Sequence, residues 1–361
     1  MRWFAVVLLC LQVLSQAALA DGEMAEDIGL PELQSAIPDE AAEIYGDLTP
    51  DTDGWEDRLD ALWEYVLSHS GSVLKQGIKS AVAIVTILLL CSAAGSISGG
   101  KTPDFVPLGG ALGIAAVASG DVSAFVGLGE KTLRTLQDFA TILLPCIAAA
   151  SAAAGNVSAG SAGYAATALF MDILITLCSA VIMPLIYIYI AAVTARAALG
   201  TDALSAAVSL TKWMCVTVMT ALVTVFTAYL SITGAVASGS DAAVAKLAKS
   251  AISAALPVVG GIVSGAAGTV VAGASMLRAG VGVFGMLVVL AVCAGPFLTL
   301  CIHYLIYKGV AALGMGLADS RLGQLIDGIG TAFGMVLGLV GCGAIMLFFA
   351  LLSGMKAVSP L

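Results

Sequence analysis

Charged side chains are scarce in this sequence, which has 361 residues, 60% of them hydrophobic and only 11% of them Asp, Glu, Lys or Arg. Soluble domains carry about 25% charged residues, so the composition excludes an ordinary water-soluble protein. Catalytic motifs are also missing, since there is no G-x-S-x-G, no H-E-x-x-H and no pair of acids within an apolar run. Nothing in the sequence therefore indicates an enzyme, and we expect no cofactor.

The sequence also lacks the C-x-x-C spacing of a metal or redox site, although it contains eight cysteines. All of them lie in apolar runs: Cys10, Cys91, Cys146, Cys178, Cys215, Cys293, Cys301 and Cys342. Cysteines in such runs usually pack as small hydrophobic side chains. Cys301-Ile302-His303, even with Cys293, lacks the second pair of ligands that a zinc site needs. We expect buried free thiols and no metal.

Acidic charge is concentrated near the N-terminus. Residues 21–78 hold 15 of the 24 acidic residues and only two basic ones, whereas residues 79–361 hold 9 acidic and 12 basic residues. An acidic segment argues against nucleic acid and anionic lipid as its partners. The chain thus divides into an acidic segment, 21–78, and a nearly neutral apolar body, 79–361.

The first twenty residues have the organisation of a signal peptide. Arg2 supplies the positive charge, residues 3–14 an apolar core, and Ala18-Leu19-Ala20 a cleavage site before Asp21. The core has about 12 residues, too few for the ~20 that cross a bilayer. We predict cleavage after Ala20, which would make residues 21–78 extracytoplasmic; an uncleaved anchor is the alternative.

Within the acidic segment, residues 21–54 are rich in Asp, Glu and Pro and indicate an extended or partly disordered stretch. From Trp55 onward, apolar residues recur at helical spacing, which predicts an amphipathic helix near 55–69. This helix either lies on the membrane surface and caps the bundle, or docks an extracytoplasmic partner.

Long charge-free windows dominate the body: 80–100, 139–171, 173–195, 213–240, 250–277, 279–307 and 328–355. Each exceeds the ~20 residues of a spanning helix, and an eighth, weaker candidate at 105–128 is interrupted by Asp121. Runs this long exclude a membrane β-barrel, whose strands alternate over about 10 residues. We predict an all-α, polytopic transmembrane bundle with about seven or eight spans. If 105–128 spans, Lys131 and Arg134 lie outside; if it is re-entrant, they lie inside, as the positive-inside rule prefers.

Residues 95–102 (GSISGGKT) fit the phosphate-loop pattern G-x-x-x-x-G-K-[ST]. That site needs a buried strand before the loop and a helix N-terminus after it. The preceding run is long enough to span a membrane, and Pro103 and Asp104 follow the pattern. We therefore interpret Lys101 as an interfacial lysine at a helix end.

Four prolines lie in or beside the windows and are candidate helix breaks: Pro145, Pro184, Pro257 and Pro296. Each removes a backbone hydrogen bond, and transporters place such breaks at substrate sites, although ordinary kinks are commoner. Glycines are candidate packing positions, both Gly330, Gly334 and Gly338 at every fourth residue and Gly260, Gly261 and Gly268 after Pro257. Such faces permit close helix packing, within one chain or in a homo-oligomer.

Few ionisable residues lie inside the windows, and such residues are functional candidates in membranes. They are Asp121, Asp172 at a window edge, and His303. We expect His303, Tyr304, Tyr307 and Lys308 to form an aromatic and basic belt at an interface.

Residues 256–285 (LPVVGGIVSGAAGTVVAGASMLRAGVGVFG) resemble the most characteristic segment of the stage III sporulation protein AE family. Residues 143–145, 182–186 and 306–308 are similar in the same order and spacing. The resemblance covers nearly the whole chain and is strongest in 140–310. Gly265 and Gly268 stand where the family pattern has acidic residues, so no role of those acids carries over.

The resemblance implies a component of the complex that joins mother cell and forespore in endospore-forming bacteria. That complex is described as a secretion-like channel, or feeding tube, in the mother-cell membrane around the forespore. The expected partners are an ATPase, ring-forming proteins and membrane lipid, and the family implies no catalytic residues. From the broken helices alone, a small-solute permease is the alternative function.

Overall fold

The computed structural model describes residues 30–46, 55–97, 105–153, 157–200, 202–229, 260–317 and 319–356. Within these ranges the chain forms helices and no strand. The α-helices are α1 Leu30–Ser35, α2 Asp39–Tyr45, α3 Trp55–Ile97, α4 Phe105–Ala153, α5 Val157–Leu177, α6 Met183–Leu199, α7 Ser205–Tyr229, α8 Gly260–Leu317 and α9 Ser320–Lys356. A π-helical turn, Cys178–Ile182, joins α5 to α6, and a 3₁₀ turn, Asp202–Leu204, precedes α7.

Six of the described helical stretches are long and apolar enough to cross a membrane, with α5, the π turn and α6 acting as one. The all-α, polytopic bundle is therefore confirmed. The described helices are fewer than the windows because α4 contains both 105–128 and 139–153, and α8 contains both 260–277 and 279–307. Three of the four charges between the windows of α4 are paired, Arg134 with Glu130 at 2.8 Å and Lys131 with Glu40 at 2.9 Å, and the helix continues through them.

Helix α4 is continuous from Phe105 to Ala153, so residues 105–128 form one helix with the segment that follows them. The side of the membrane on which Lys131 and Arg134 lie stays a prediction. At 1.5 Å per residue, the 49 residues of α4 extend for about 74 Å and the 58 residues of α8 for about 87 Å. A bilayer with its headgroups is about 40–45 Å thick. Both helices therefore extend beyond the membrane.

Helices α8 and α9 form the centre of the bundle and have the most extensive contact with each other. Helix α8 also packs against α3 and α4, and α9 packs against α4, α5 and α6. The largest fully buried side chains include Phe139, Phe284, Phe333 and Tyr307, which lie at these contacts. Helix α3 lies at the edge, and large apolar side chains along it, such as Leu89 and Leu90, face outward.

Part of the acidic segment is ordered, contrary to the expectation of an extended stretch. Helices α1 and α2 pack on α4, α3 and α8, and Leu33 and Ala41 are fully buried there. Burial raises the pKa of Glu40, but the hydrogen bond and positive charge of Lys131 outweigh it and leave that pKa lowered. Each helix has seven residues or fewer, too short for its apolar spacing to stand out in the sequence.

The predicted amphipathic helix is the first part of α3. Leu59 packs with Tyr45 of α2 and with Val283 and Leu287 of α8, as expected of a helix that caps the bundle. Trp63 is 62% exposed, so the same helix also presents an uncovered apolar surface.

Prolines have different effects at different positions. Helices α4 and α8 continue through Pro145 and Pro296, whereas Pro184 lies two residues after the end of the π-helical turn. Proline lacks an N–H group and its ring presses on the carbonyl four residues earlier. A wider π turn relieves that clash. Pro257 lies outside the described residues.

Candidate functional site

Six polar side chains lie where α4, α8 and α9 pack together inside an otherwise apolar bundle; we call them the polar cluster. They are Asp121 on α4, His303, Tyr307 and Lys308 on α8, and Asp327 and Thr331 on α9. Residues four apart lie on the same face of a helix, so His303 and Tyr307 both face α4. Lys308 lies one residue further round α8 and faces α9.

Asp121 and Tyr307 join α4 to α8. The Tyr307 hydroxyl donates a hydrogen bond of 2.8 Å to Asp121 Oδ2. Tyr307 is 1% exposed, and its ring packs edge-on against Phe333 of α9, with 4.9 Å between centroids. A carboxylate between membrane helices is unfavourable unless it has a donor, and Tyr307 provides one.

His303 is fully buried and contacts α3 and α4. Its Nδ1 lies 2.8 Å from the carbonyl oxygen of Thr299, one helical turn earlier. A carbonyl only accepts, so the shared hydrogen is on Nδ1 and the neutral ring has its lone pair on Nε2. That atom has no hydrogen-bond partner among the described residues. It faces Gly77 of α3, and the ring contacts Phe125 with 4.4 Å between centroids.

Lys308 joins α8 to α9 with three hydrogen bonds. Its Nζ donates to Asp327 Oδ1 at 2.6 Å, to Thr331 Oγ1 at 2.9 Å and to the Asp327 carbonyl at 3.2 Å. The ammonium also lies 5.7 Å from the centre of the Tyr304 ring, within the range of a cation–π interaction. All three ammonium hydrogens are therefore used.

The glycines of α9 allow this close contact. A Cβ at Gly330 would lie 3.2 Å from Tyr307 Cβ, and one at Gly334 would lie 3.1 Å from Tyr304 Cε2. At Gly338 a Cβ would meet only Met219 Cε of α7, at 3.9 Å. Gly330 and Gly334 thus bring α9 against α8 within one chain, whereas Gly338 faces a more open space.

That space is a cavity of about 660 Å³ between α7, α8 and α9. Lys308 and Thr331 of the polar cluster lie at one end of its lining, together with Lys212 of α7. The rest of the lining is mostly apolar and includes Gly338, and Ile345 lies furthest along α9.

Some residues predicted from the sequence lie elsewhere. Asp172 is exposed, and the expected interfacial belt is wrong because His303 and Tyr307 point into the bundle. Gly260, Gly261 and Gly268 lie in α8, but the packing around them is not described. Ala18, Ala20 and Asp21 lie outside the described residues.

Two other sequence motifs also lack the structure that their function requires. The phosphate-loop pattern begins in the last turn of α3, a 43-residue helix, so helix stands where the motif needs a strand. Cys301 is exposed while His303 and Cys293 are buried, so the three do not converge on one point. Four of the cysteines are buried as expected, namely Cys146, Cys178, Cys215 and Cys293.

Sequence reasoning missed Asp327 and Thr331, which complete the ion pair of Lys308. Asp327 immediately precedes the window 328–355, and an acid at that border gives no sign of its partner 19 residues earlier. In the described part of the chain, the polar cluster pairs charges between helices and contains no nucleophile beside a base. This arrangement is suited to fixing the positions of the helices.

Comparison with known proteins agrees with the family resemblance. A family model described as stage III sporulation protein AE matches residues 53–356, which include α3 to α9. No curated protein and no solved structure matches the chain significantly.

Proposed function

Because the chain belongs to the stage III sporulation protein AE family, we propose that this sporulation membrane protein is an integral-membrane part of the secretion-like channel complex between mother cell and forespore. The observation that carries the proposal is the extent of the family match, which covers the whole spanning bundle. In this role the protein lies in the mother-cell membrane around the forespore. It acts as a base or scaffold and not as a catalyst.

The geometry supports a scaffold that holds helices in fixed positions. Tyr307 and Lys308, in the C-terminal part of α8, are bonded to neighbours on α4 and α9, which opposes sliding of one helix past another. Polar pairs between membrane helices contribute about 0.6 kcal/mol on average and up to about 1.7 kcal/mol. Several of them on one helix define its register more sharply than apolar packing alone.

The exposed part of α3 is the proposed contact with ring-forming partners. Trp63 and Leu67 are 62% and 57% exposed and lie one turn apart in the segment that we place outside the cytoplasm. Tryptophan is enriched at the energetic centres of protein interfaces. The ATPase partner would act from the opposite side of the membrane.

Purification of the tagged protein from sporulating cells tests this proposal. We expect the wild-type chain to retain ring-forming partners and the Trp63→Ala, Leu67→Ala double variant to lose them, with sporulation falling in parallel. The matched control is Trp213→Ala on α7, because Trp213 is also 62% exposed. This control should retain the partners and sporulate normally.

Two outcomes would overturn the proposal. One is normal sporulation in a strain without the protein. The other is solute uptake by proteoliposomes that contain the purified chain alone, which would point to the permease that the family match does not favour.

A further inference from the structure

The cavity between α7, α8 and α9 is an elongated groove. Along α9 its lining runs from Thr331 to Ile345, which at 1.5 Å per residue is about 21 Å. Gly334 and Gly338 leave bare backbone on that side, and Val216 and Val223 of α7 form the other side. The groove therefore has the length and apolar lining to accept a hydrocarbon chain.

One end of the groove carries a positive charge that no residue in the described part of the chain neutralises. Lys308 is paired with Asp327, as described above. Lys212 also lines this end, is exposed, and has no ion-pair or hydrogen-bond partner in the described part of the chain. The groove thus combines a free ammonium at one end with an apolar channel beyond it.

The depth of Lys212 fits the border between lipid headgroups and hydrocarbon. It lies seven residues after Ser205, where α7 begins, which is about 10 Å along the helix. The turns at this end of the bundle are polar, with Arg196, Asp319 and Arg321 close to them, and belong in the aqueous or headgroup layer. That layer is about 5–8 Å thick on each side. Lys212 therefore lies just inside the hydrocarbon, and its ammonium group extends into the headgroup layer.

We propose that this groove binds one anionic glycerophospholipid, with its phosphate on Lys212 and one acyl chain along Gly334 and Gly338. The length of the groove, about 21 Å, exceeds the hydrocarbon depth of one leaflet, about 15 Å, and so accommodates a whole chain. A zwitterionic lipid carries its own cation beside the phosphate and gains less from Lys212. The site is therefore selective for headgroup charge.

Native mass spectrometry of the purified protein with equal amounts of phosphatidylglycerol and phosphatidylcholine of identical chains tests the proposal. We expect one phosphatidylglycerol to be retained in preference to phosphatidylcholine by about fivefold, as one lysine near the membrane surface provides. Lys212→Glu should remove this preference. Lys75→Glu, the same charge change at an exposed lysine of α3, should keep it.

Blocking the apolar part of the groove provides an independent test of the proposal. Gly338→Leu places a side chain into the groove, where a Cβ meets only Met219 Cε, and should abolish retention of the lipid. Gly120→Leu, at a helical glycine of α4 with nothing within 4 Å, should not. Unchanged unfolding temperatures would show that both variants are folded.

Equal retention of the two lipids by the wild-type chain would overturn the proposal, as would a preference that survives Lys212→Glu. A cysteine crosslink showing that residues 230–259 of the chain fill the groove would overturn it as well.

Discussion

Replacing Lys308 by Met should destabilise the bundle more than replacing Asp327 by Asn, although both remove the same ion pair. Met keeps the apolar stem of Lys308 but loses three hydrogen bonds and leaves the Asp327 carboxylate without its cation. Asn at position 327 still offers a side-chain oxygen and the same backbone carbonyl, and Thr331 remains. The two variants differ because Lys308 donates all three hydrogen bonds, whereas the Asp327 side chain accepts only one of them.

The expected loss of stability is limited because the Lys308–Asp327 pair is partly exposed. The side chains of Lys308 and Asp327 are 30% and 42% exposed, so the 3–5 kcal/mol of a fully buried broken pair does not apply. Exposed pairs are worth about 0.2–1 kcal/mol, and charged hydrogen bonds about 1.5–3 kcal/mol. We expect a cost of about 1–3 kcal/mol for Lys308→Met, about half of that for Asp327→Asn, and a coupling energy near 1 kcal/mol in the double-mutant cycle.

Unfolding in detergent can be followed with a dye that becomes fluorescent on reacting with thiols. The described chain has four buried thiols that unfolding exposes, Cys146, Cys178, Cys215 and Cys293. Cys301 is exposed, so Cys301→Ser is the background for all variants. Lys75→Met, at an exposed lysine of α3, is the control and should change stability by less than about 0.5 kcal/mol. A coupling energy below about 0.3 kcal/mol, or a greater loss for Asn than for Met, would refute the reasoning.

Three further predictions concern other parts of the chain. Gly330→Leu should lower stability by roughly 1–3 kcal/mol, because a Cβ at this position lies 3.2 Å from Tyr307 Cβ of α8. Gly120→Leu should be neutral in the same assay, since nothing lies within 4 Å of its Cβ. Equal effects of the two variants would contradict the close packing of α8 and α9 at Gly330. The lowered pKa of Glu40 means that its contact with Lys131 stabilises fully above about pH 4.5 and is lost as the pH falls through the folded pKa. Unfolding temperatures should thus fall more steeply below pH 4.5 in the wild type than in Lys131→Gln, and parallel curves would refute this. N-terminal sequencing of the membrane-extracted protein should begin at Asp21, and a terminus at Met1 would show an uncleaved anchor.

Several features of the fold could be predicted because they depend on composition over long windows. Apolar runs of 20 or more residues have few stable states other than membrane helices, since backbone polar groups must bond within the segment. Helix ends were harder to predict. Residues 130–138 of α4 look like a polar connection, yet Glu130 and Arg134 pair along one helix and Lys131 reaches Glu40 of α2. The Glu130–Arg134 pair is local, but the partner of Lys131 lies 91 residues away in sequence and cannot be recognised from the charged stretch itself.

The candidate site could likewise be predicted only in part. The sequence singled out Asp121 and His303 as unusual inside apolar runs, and it singled out the spacing of Gly330, Gly334 and Gly338. It placed Tyr307 and Lys308 at an interface, since aromatic and basic residues together are typical of one.

Residue types and their order were sufficient to identify this chain as an all-helical membrane protein of the stage III sporulation protein AE family. Both conclusions depend on residue types and their order along the chain. The tertiary structure alone decided which polar groups meet: Tyr307 with Asp121, 186 residues away, and Lys308 with Asp327. Helical periodicity gives the face on which a side chain lies, but the helix that covers that face is selected by packing of the whole bundle.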